Sequence, residues 1–423
     1  MDIYVVNKGD TLWKIANRYN VNMDLIAKVN GLQSPNQLAI GQALLIPKLN
    51  GYHRVQPGDT LWSIAHKHGV TVESIVSANE ITNPNIIYPG MLLIIPTSKP
   101  IIDVYAYSYE DDKLGAKSVN EVGKSLTYFS PKAYVVTKSG TLDETPDEMQ
   151  LAAAKLNNVI PTLSIMNFKP GDIGSQTAHA ILSSKDLQEK LLRNVINVMD
   201  EKGYKGLNIN FENVLPSDRE AYIGFVQLAV NRLHPRGYIV STALAPKTSG
   251  TQPGLLYEAH DYPALGNIVD FVVLMTYEWG YRLGPPQAIS PIKEIEKVVK
   301  YALSVMPANK IHLGFEIYAR DWLIPHVKGN VAETFSPQEA LNRAMKYGAT
   351  IQYDTNAQAP FYRYVDENGQ GHEVWFEDAR SAKAKFDLVK KYNLRGITYW
   401  ALGFPYPENW SLLNDTFTIK KFK

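Results

Sequence analysis

A repeat near the N-terminus constrains the fold of this chain more than any other feature. The pentapeptide Gly-Asp-Thr-Leu-Trp begins at Gly9 and recurs 49 positions later at Gly58, and an Ile-Ala pair follows it at the same offset in both places. Self-similarity at a fixed spacing is typical of tandem copies of one small structural unit. The sequence therefore predicts two modules of one kind, over residues 1–48 and 50–97.

Each copy has the sequence pattern of two helices between two strands. A short alternating segment leads into the Gly-Asp-Thr turn, whose Asp or Thr side chain can cap the helix that follows. In the first copy Leu12, Ile15 and Tyr19 recur at helical spacing, and the module closes on an apolar strand that ends at proline. The predicted order of elements is βααβ.

The paired modules resemble the LysM module, which binds glycans that contain N-acetylglucosamine, such as peptidoglycan and chitin. A single Gly-Asp-Thr triplet would indicate only a turn and a helix cap, but two copies in register favour the family. The resemblance places the sugar between this turn and the loop before the second strand, which in the first copy is 34–37, and backbone groups there would contact the acetamides. The implied glycan-binding residues are Gly9, Asp10, Thr11, Leu12, Gly58, Asp59, Thr60, Leu61, Asn83, Pro84 and Ile86.

Residues 98–423 alternate strand-like and helical patterns after a short polar linker. Such alternation is typical of βα units, and eight of them fit a (β/α)₈ barrel of the α/β class. Between the last two strands an excess of about 75 residues is too long for a plain crossover and predicts an α+β insertion at about 322–385. The predicted strands are 102–107, 133–137, 159–165, 206–211, 238–244, 271–277, 310–317 and 396–402.

Polar side chains share one face of the fourth predicted strand. Asn208, Asn210 and Glu212 fall at alternate positions, which turns all three toward the barrel interior. Polar groups there are costly unless they bond to one another or to a ligand, and barrel enzymes carry their chemistry at the carboxyl ends of the strands. A purely structural cluster is the alternative, but a glutamate at the strand exit favours a functional site.

Two further strand ends would reach the same rim of the barrel. The sixth predicted strand places Met275 and Tyr277 on one face and is followed by Glu278, so a phenol and a carboxylate emerge together. The eighth strand ends near Trp400, and an indole face stacks well on the C–H bonds of a sugar. Taken singly, such aromatic residues are ordinary core. Together with Glu212 they predict a saccharide-binding cleft.

These strand ends resemble the family 18 glycoside hydrolases, the chitinase-like barrels. The strand-four motif of that family, Asp-x-x-Asp-x-Asp-x-Glu, falls on residues 205–212, where only Glu212 matches in identity and Asn210 replaces the last aspartate. The family's Met-x-Tyr-Asp motif falls on 275–278, with Glu278 in place of the aspartate.

The resemblance implies a retaining hydrolysis in which the 2-acetamido group of the substrate is the nucleophile, with no cofactor and no metal. Glu212 would protonate the glycosidic oxygen and later deprotonate water. Tyr277 would align the acetamido oxygen, Asn210 would accept from the acetamido N–H, and Trp400 would lie beneath the sugar. The remaining predicted substrate contacts are Asn208, Met275 and Glu278.

The balance of charges and the absence of cysteine exclude several kinds of binding partner and of catalytic site. Lys and Arg number 43 against 42 Asp and Glu, too balanced to favour nucleic acid or an anionic membrane surface. The absence of cysteine excludes disulfides, thiolate zinc sites and a cysteine nucleophile. The N-terminus lacks the pattern of a cleavable secretory signal, and no apolar run reaches the roughly 18 residues of a membrane span.

The leading hypothesis is a peptidoglycan hydrolase that cleaves N-acetylglucosaminyl bonds. LysM pairs ahead of a family 18 barrel, without a secretion signal, are similar to the enzymes that endospore formers direct against the spore cortex during germination. The predicted location is accordingly the coat or cortex surface of a bacterial endospore. Because Asn210 cannot supply negative charge, a catalytically weak or inactive glycan-binding lectin is the alternative, and a structural role in the spore coat is a third.

Overall fold

A computed structural model describes residues 1–32, 34, 37–47, 51–96, 99–169 and 171–422. Pro35 and Asn36 of the predicted first glycan loop lie outside the described residues, as do the predicted module boundaries at residues 48, 50, 97 and 98. Within the described ranges, none of the helices is long and apolar enough to cross a membrane.

Each N-terminal module is a two-stranded antiparallel sheet covered by two helices, which confirms the predicted βααβ order. The threonine of each Gly-Asp-Thr turn caps the next helix, since Thr11 accepts from the Lys14 N–H and Thr60 accepts from the Ser63 N–H. The elements are β1 (Asp2–Val5), α1 (Leu12–Tyr19), α2 (Met23–Val29), β2 (Ala43–Ile46), β3 (Tyr52–Arg54), α3 (Leu61–His68), α4 (Val72–Ala78) and β4 (Leu92–Ile94).

From residue 101 to residue 316 strands and helices mostly alternate, except for three consecutive strands, β6 to β8, and two consecutive helices, α7 and α8. The elements are β5 (Ile101–Ser108), α5 (Asp112–Val122), β6 (Tyr128–Ser130), β7 (Tyr134–Val136), β8 (Leu142–Asp143), α6 (Glu148–Leu156), β9 (Ile160–Met166), α7 (Ser175–Leu182), α8 (Lys185–Lys202), β10 (Gly206–Asn210), α9 (Arg219–Leu233), β11 (Ile239–Leu244), α10 (Tyr262–Ile268), β12 (Phe271–Leu274), α11 (Ile292–Val305) and β13 (Ile311–Glu316).

An inserted sheet precedes the last barrel strand. Its five antiparallel strands follow the order β15-β14-β18-β17-β16, and α12 packs against it. The remaining elements of the chain are β14 (Ala319–Ile324), β15 (Glu333–Phe335), α12 (Pro337–Lys346), β16 (Gln352–Asp354), β17 (Ala359–Val365), β18 (Gly371–Trp375), α13 (Ala379–Lys391), β19 (Gly396–Leu402), α14 (Pro407–Thr416) and β20 (Thr418–Ile419).

Eight parallel strands close into a barrel in the order β5-β6-β9-β10-β11-β12-β13-β19, and β19 pairs back onto β5. The predicted (β/α)₈ fold is therefore confirmed. Alternate residues of each strand face opposite sides. On β12, Val272 and Leu274 belong to the hydrophobic layer beneath the helices, whereas Phe271 and Val273 belong to the cluster that fills the barrel interior.

The second barrel strand differs from the prediction. The pattern at 133–137 predicts that strand, but the position is occupied by β6, which pairs with both β5 and β9. Strand β7 instead forms a hairpin with β8 and attaches to the end of β9, with Tyr134 opposite Ile165. The prediction was wrong because β6 has only three residues, all of them buried, and so shows no alternation.

The first N-terminal module is docked on the barrel domain through one face of β2, and the other face of β2 belongs to the module's own core. Leu44 and Ile46 lie in the core of the module, whereas Ala43 and Leu45 join the large hydrophobic cluster of the barrel domain. A backbone bond from the Ile351 N–H to the Ile40 carbonyl, 2.9 Å long, ties the module to the insertion. The first module is thus part of one packed unit with the barrel and the insertion.

The second module is attached differently. Its strand β4 exposes Leu92 and Ile94 at 49% and 42%, at positions that correspond to the buried residues Ala43 and Leu45 of the first module. Among the described residues, the hydrogen bonds and ion pairs of residues 51–96 stay within the module. The two copies share a fold but differ in whether the same face is covered.

Candidate active site

A cleft of about 820 Å³ opens at the carboxyl ends of the barrel strands. Strand ends from around the ring contribute to it, which is where barrel enzymes place their chemistry. The lining residues that the sequence predicts are Asn210, Glu212, Met275, Tyr277, Glu278 and Trp400.

Glu212 is held at the cleft by its own backbone. Strand β10 ends at Asn210, so the glutamate lies just beyond the last ladder bonds. The buried Asn167 side chain replaces them: its Oδ1 accepts from the Glu212 N–H and its Nδ2 donates to the Glu212 carbonyl, both at 2.8 Å. Two bonds to one peptide segment fix the direction in which the carboxyl group points.

The environment of Glu212 favours the protonated acid. Burial raises the pKa of the Glu212 carboxyl to about 7, the neighbouring Glu278 adds to the rise, and a hydrogen bond from Asn210 partly opposes it. Desolvation penalises the charged form of a carboxyl group, because water no longer solvates the anion. A carboxyl group with this pKa can deliver a proton near neutral pH and take one back later.

Tyr277 is a hydrogen-bond donor close to Glu212 in the cleft. Its ring is partly buried, and desolvation together with the nearby Glu212, Glu278 and Glu316 raises the pKa of its phenol well above the ordinary value. The phenol therefore keeps its proton at any physiological pH. A Cβ at Gly314 would lie 3.1 Å from the ring and 2.1 Å from the Leu274 carbonyl, so only glycine leaves room for this packing.

Asn208 lies below the cleft floor instead of lining it. The residue is fully buried, and its side chain accepts from the Tyr107 hydroxyl at 3.0 Å and donates to the Ser241 hydroxyl at 2.9 Å. Tyr107 does line the cleft. The expected direct contact between Asn208 and the substrate is thus replaced by a supporting position, because the alternation that turns a side chain inward does not say how deep it lies.

Glu278 is held by the insertion. Arg320 of β14 donates to both of its carboxylate oxygens, from Nη1 at 2.9 Å and from Nη2 at 2.7 Å, and the Tyr318 hydroxyl also donates to it. The two-pronged geometry matches a planar guanidinium to a planar carboxylate and fixes the orientation of Glu278. The sequence does not reveal this pair, since its members lie on the barrel and on a separate inserted sheet.

Several lining residues lie on loops where no motif marks them. They are mostly apolar or aromatic, with three charged groups among them, and only Trp279 is adjacent to a predicted residue. Elsewhere, in the part of the chain that the structure describes, no three His, Cys, Asp or Glu side chains are grouped as metal ligands. The lining residues without a sequence signal include Lys132, Asp143, Phe168, Lys169, Leu256 and Tyr257.

In the LysM modules the aspartate and threonine of the turn serve the turn itself. Asp10 accepts from the Asn7 N–H and from the Tyr4 hydroxyl, each at 2.7 Å. Asp59 accepts from the Gln56 N–H at 2.7 Å and lies 2.7 Å from a ring nitrogen of His53. The threonine side chains cap the helices, and the aspartate side chains bond within the turn. The groups of the turn that remain for a ligand are those of the backbone.

Exposed aromatic residues follow both turns. Trp13 and Trp62 occupy the same repeat position and expose 66% and 69% of their surface, and Tyr88 of the second module exposes 67%. In the loop near Tyr88, the Ile86 N–H donates to the Asn83 carbonyl at 3.1 Å. A large exposed ring beside a polar turn is suited to stacking on a sugar. The repeated pentapeptide includes Trp13 and Trp62, but only the structure shows that these rings are exposed.

Comparison with known proteins defines the class. The model of Glycosyl hydrolases family 18 matches residues 125–404, and the LysM domain model matches residues 4–47 and 53–96. The chain belongs to family 18 of the glycosyl hydrolases. It is a glycoside hydrolase that carries two LysM domains, as the resemblance implies.

Similarity to particular proteins extends over the whole chain. The cortical fragment-lytic enzyme of Bacillus subtilis (strain 168) is 47% identical over 428 residues, covering 100% of this chain and 99% of that protein. The spore cortex-lytic enzyme SleL of Bacillus megaterium QM B1551 superposes with a TM-score of 0.86 at 41% identity, covering 100% of this chain and 99% of that one. SleL of Bacillus cereus gives 0.85 at 39% identity, covering 99% and 98%. The predicted similarity to spore cortex-degrading enzymes is confirmed.

Proposed function

We propose that this glycoside hydrolase is an N-acetylglucosaminidase that cleaves the peptidoglycan of the spore cortex during germination. The observation that carries the proposal is that Glu212, whose carboxyl pKa is raised to about 7, lines the same cleft at the mouth of the barrel as the Tyr277 phenol. The names of the relatives point to the cortex as the polymer, and the LysM domains point to glycans with N-acetylglucosamine. The coat or cortex surface of the endospore is the corresponding location.

The charges of the cleft support a mechanism in which the substrate supplies the nucleophile. An ordinary retaining glycosidase needs a second, free carboxylate to attack the anomeric carbon. Glu278 is engaged by Arg320 and Tyr318, and Asp143 pairs with Lys169 at 2.6 Å. The resemblance to family 18 implies the 2-acetamido oxygen of the sugar as the nucleophile, and the engagement of both carboxylates supports that role.

The reaction then has two steps. Glu212 donates its proton to the glycosidic oxygen while the acetamido oxygen attacks the anomeric carbon from the opposite face, and the aglycon leaves. Glu212, now a carboxylate, takes a proton from the water that opens the resulting oxazolinium ion, and the product keeps the β configuration. Tyr277 donates to the acetamido oxygen, and Trp400 lies beneath the reacting sugar.

Asn210 has a free acceptor for this substrate. Its Oδ1 is buried and has no hydrogen-bond partner in the described structure. A buried unpaired acceptor is costly unless a ligand satisfies it. The acetamido N–H of the sugar is the donor that we assign to it. Asn210 would orient the amide but would not supply the negative charge of the aspartate that the family has at this position.

The pH dependence of hydrolysis follows from Glu212 and tests the role of Asn210. We expect kcat/KM to fall about tenfold per pH unit above pH 7, as the acid is lost with its pKa of about 7. Asn210→Asp places a second carboxyl group beside the first, which raises the pKa of the pair and moves the descending limb to higher pH. The rate at the optimum should stay level or fall. A gain of about a hundredfold or more would show that Asn210 impairs the site.

A glycan-binding lectin without turnover is the second candidate, and the neutral Asn210 is the observation that favours it. Incubation with purified cortex peptidoglycan distinguishes the two, because only an enzyme releases new reducing ends. Proton NMR of the first product formed tests the mechanism in the same experiment. A product of inverted configuration would exclude the acetamido nucleophile.

The second LysM module can be removed without disturbing the packed first one. Ile46, just before the excised segment, pairs with Asp2, and the neighbouring Met1 contacts Asp415 of α14. On the other side of the segment, Lys99 donates to the Asn414 carbonyl at 2.6 Å, so both flanks lie near the end of the same helix. We expect replacement of residues 48–98 by a short Gly-Ser linker to weaken binding to insoluble cortex at least about tenfold, since two sites on one chain raise the effective concentration.

Sedimentation with cortex fragments measures that binding, and kcat/KM on soluble fragments is the control for the barrel. Equal sedimentation of the full chain and the excised variant would refute a binding role for the second module. Deletion of residues 1–97 is the less informative variant, because it also uncovers the barrel surface against which Ala43 and Leu45 pack.

A further inference from the structure

The cleft carries one positive charge that has no counter-charge among the residues that the structure describes. Five charged side chains line it, and four have been assigned: Glu212 is protonated near neutral pH, Glu278 is held by Arg320, and Asp143 and Lys169 pair with each other. The fifth is Lys132.

Lys132 stands free at the edge of the site. It follows β6 directly, at the base of the β7–β8 hairpin, and its side chain is exposed. Among the described residues it has neither an ion-pair partner nor a hydrogen-bond acceptor. Lys132, Ala133, Val135, Asp143 and Thr145 form one side of the cleft, the hairpin wall.

A free cation in a sugar cleft has no partner in a neutral polysaccharide. Chitin consists of N-acetylglucosamine alone and offers only hydroxyl and acetamido groups. In peptidoglycan, alternate sugars are muramic acids, whose O3 carries a lactyl ether that ends in a carboxyl group. Where no peptide or lactam blocks it, that group is an anion beside the bond to be cleaved.

We propose that Lys132 is a specificity residue that binds the lactyl carboxylate of a muramic acid lying along the hairpin wall. The inference rests on the proposed function, because it assigns the substrate of that same cleft. Lysine is suited to this task as a compact point charge on a flexible stem, which can follow a substituent that rotates about an ether bond. The enzyme would thereby favour acidic peptidoglycan strands over neutral chitin-like ones.

The Asp143–Lys169 ion pair also lines the cleft, and a substitution in it should change the preference for acidic substrate in the direction opposite to Lys132→Ala. Asp143→Asn removes the partner of Lys169 and leaves a second uncompensated cation in the cleft. If the hairpin wall receives an anion, Lys132→Ala must reduce the preference for acidic substrate and Asp143→Asn must increase it. A role in folding alone would not produce opposite changes.

The test compares two substrates, one with a charged and one with a neutral lactyl group. One is the tetrasaccharide of alternating N-acetylglucosamine and N-acetylmuramic acid, and the other is the same compound with its carboxyl groups converted into methylamides. We expect Lys132→Ala to lower the ratio of kcat/KM for acid over amide about tenfold, mainly through KM, and Lys132→Arg to restore most of it. Added salt should shrink the ratio in the parent enzyme.

Lys138→Ala is the matched control, because Lys138 is an exposed lysine of the same hairpin that does not line the cleft. Calorimetric binding of both tetrasaccharides to a Glu212→Gln protein gives the same comparison without turnover. A parent enzyme that binds but does not cleave either compound would contradict the proposed function alone. An unchanged acid-to-amide ratio in Lys132→Ala, or a change equal to that in Lys138→Ala, would overturn the role of Lys132.

Discussion

Replacement of Glu212 by glutamine is expected to reduce kcat about 10³- to 10⁴-fold while leaving glycan binding intact. Glutamine has nearly the same shape and can still receive a hydrogen bond, but it can neither give up a proton nor take one. The backbone clamp by Asn167 does not involve the carboxyl group and should persist. Release of reducing ends from cortex fragments is the measurement.

Glu212→Gln should lower activity but raise the stability of the fold. A higher melting temperature therefore shows that the loss of activity does not come from unfolding. The folded protein binds the Glu212 proton more tightly than an unfolded chain with a pKa of 4.5. The side chain therefore imposes no penalty below pH 4.5, an increasing one up to pH 7, and its full penalty of about 3 kcal/mol above that. Glu212→Gln should raise the melting temperature at pH 8 more than at pH 5.

Glu408 offers a matched comparison. It is a buried glutamate at the start of α14, outside the cleft, and burial raises the pKa of its carboxyl to about 8. Glu408→Gln should show a similar gain in stability at pH 8 while retaining turnover. Near-parental hydrolysis by Glu212→Gln, or an equal loss in Glu408→Gln, would show that Glu212 is not the general acid.

Tyr277→Phe is expected to lower kcat about a hundredfold, the second largest effect. The substitution removes one donor aimed at an oxygen whose charge changes in the transition state, a loss that typically costs a factor of 10² to 10³. KM should change less, because the ring and its packing remain. Single-turnover kinetics with a soluble oligosaccharide separates the chemical step from binding.

Tyr399→Phe controls for the removal of a buried phenol. Tyr399 lies on β19 away from the cleft, and its hydroxyl donates to Asn409 at 3.2 Å. It should lose some stability but little activity. If Tyr277→Phe behaves in the same way, the Tyr277 hydroxyl does not contact the reacting acetamido group.

The parts of this structure that the sequence predicts are those with a local period. A repeat at fixed spacing defined both modules, and alternation on β10 directed Asn210 and Glu212 to the cleft. Short buried strands have no such period, which is why β6 was missed and its place given to 133–137. Alternation also does not show how deep in the barrel a side chain lies. Asn208 was therefore expected in the cleft, although it lies below it and accepts a hydrogen bond from Tyr107.

Contacts between distant segments were beyond sequence reasoning for a different reason. The two LysM copies are equally apolar in their last strands, and only the fold shows that Ala43 and Leu45 are covered while Leu92 and Ile94 are not. Arg320 likewise looks like any arginine of an inserted sheet until the chain brings it to Glu278. Hydrophobic patterning shows that a face is apolar, but it does not show whether another part of the chain covers that face.

Because Arg320 of the insertion binds Glu278 of the barrel domain, the insertion and the barrel must be transferred together when such enzymes are recombined. A shortened insertion that lacks Arg320 would leave a bare carboxylate next to Glu212 and push the pKa of that acid upward. Chimeras that graft this barrel onto a different inserted sheet therefore need a neutral residue at position 278, or a new cation in reach of it. For anyone recombining such enzymes, the useful crossover points lie outside the segment from Glu278 to Arg320.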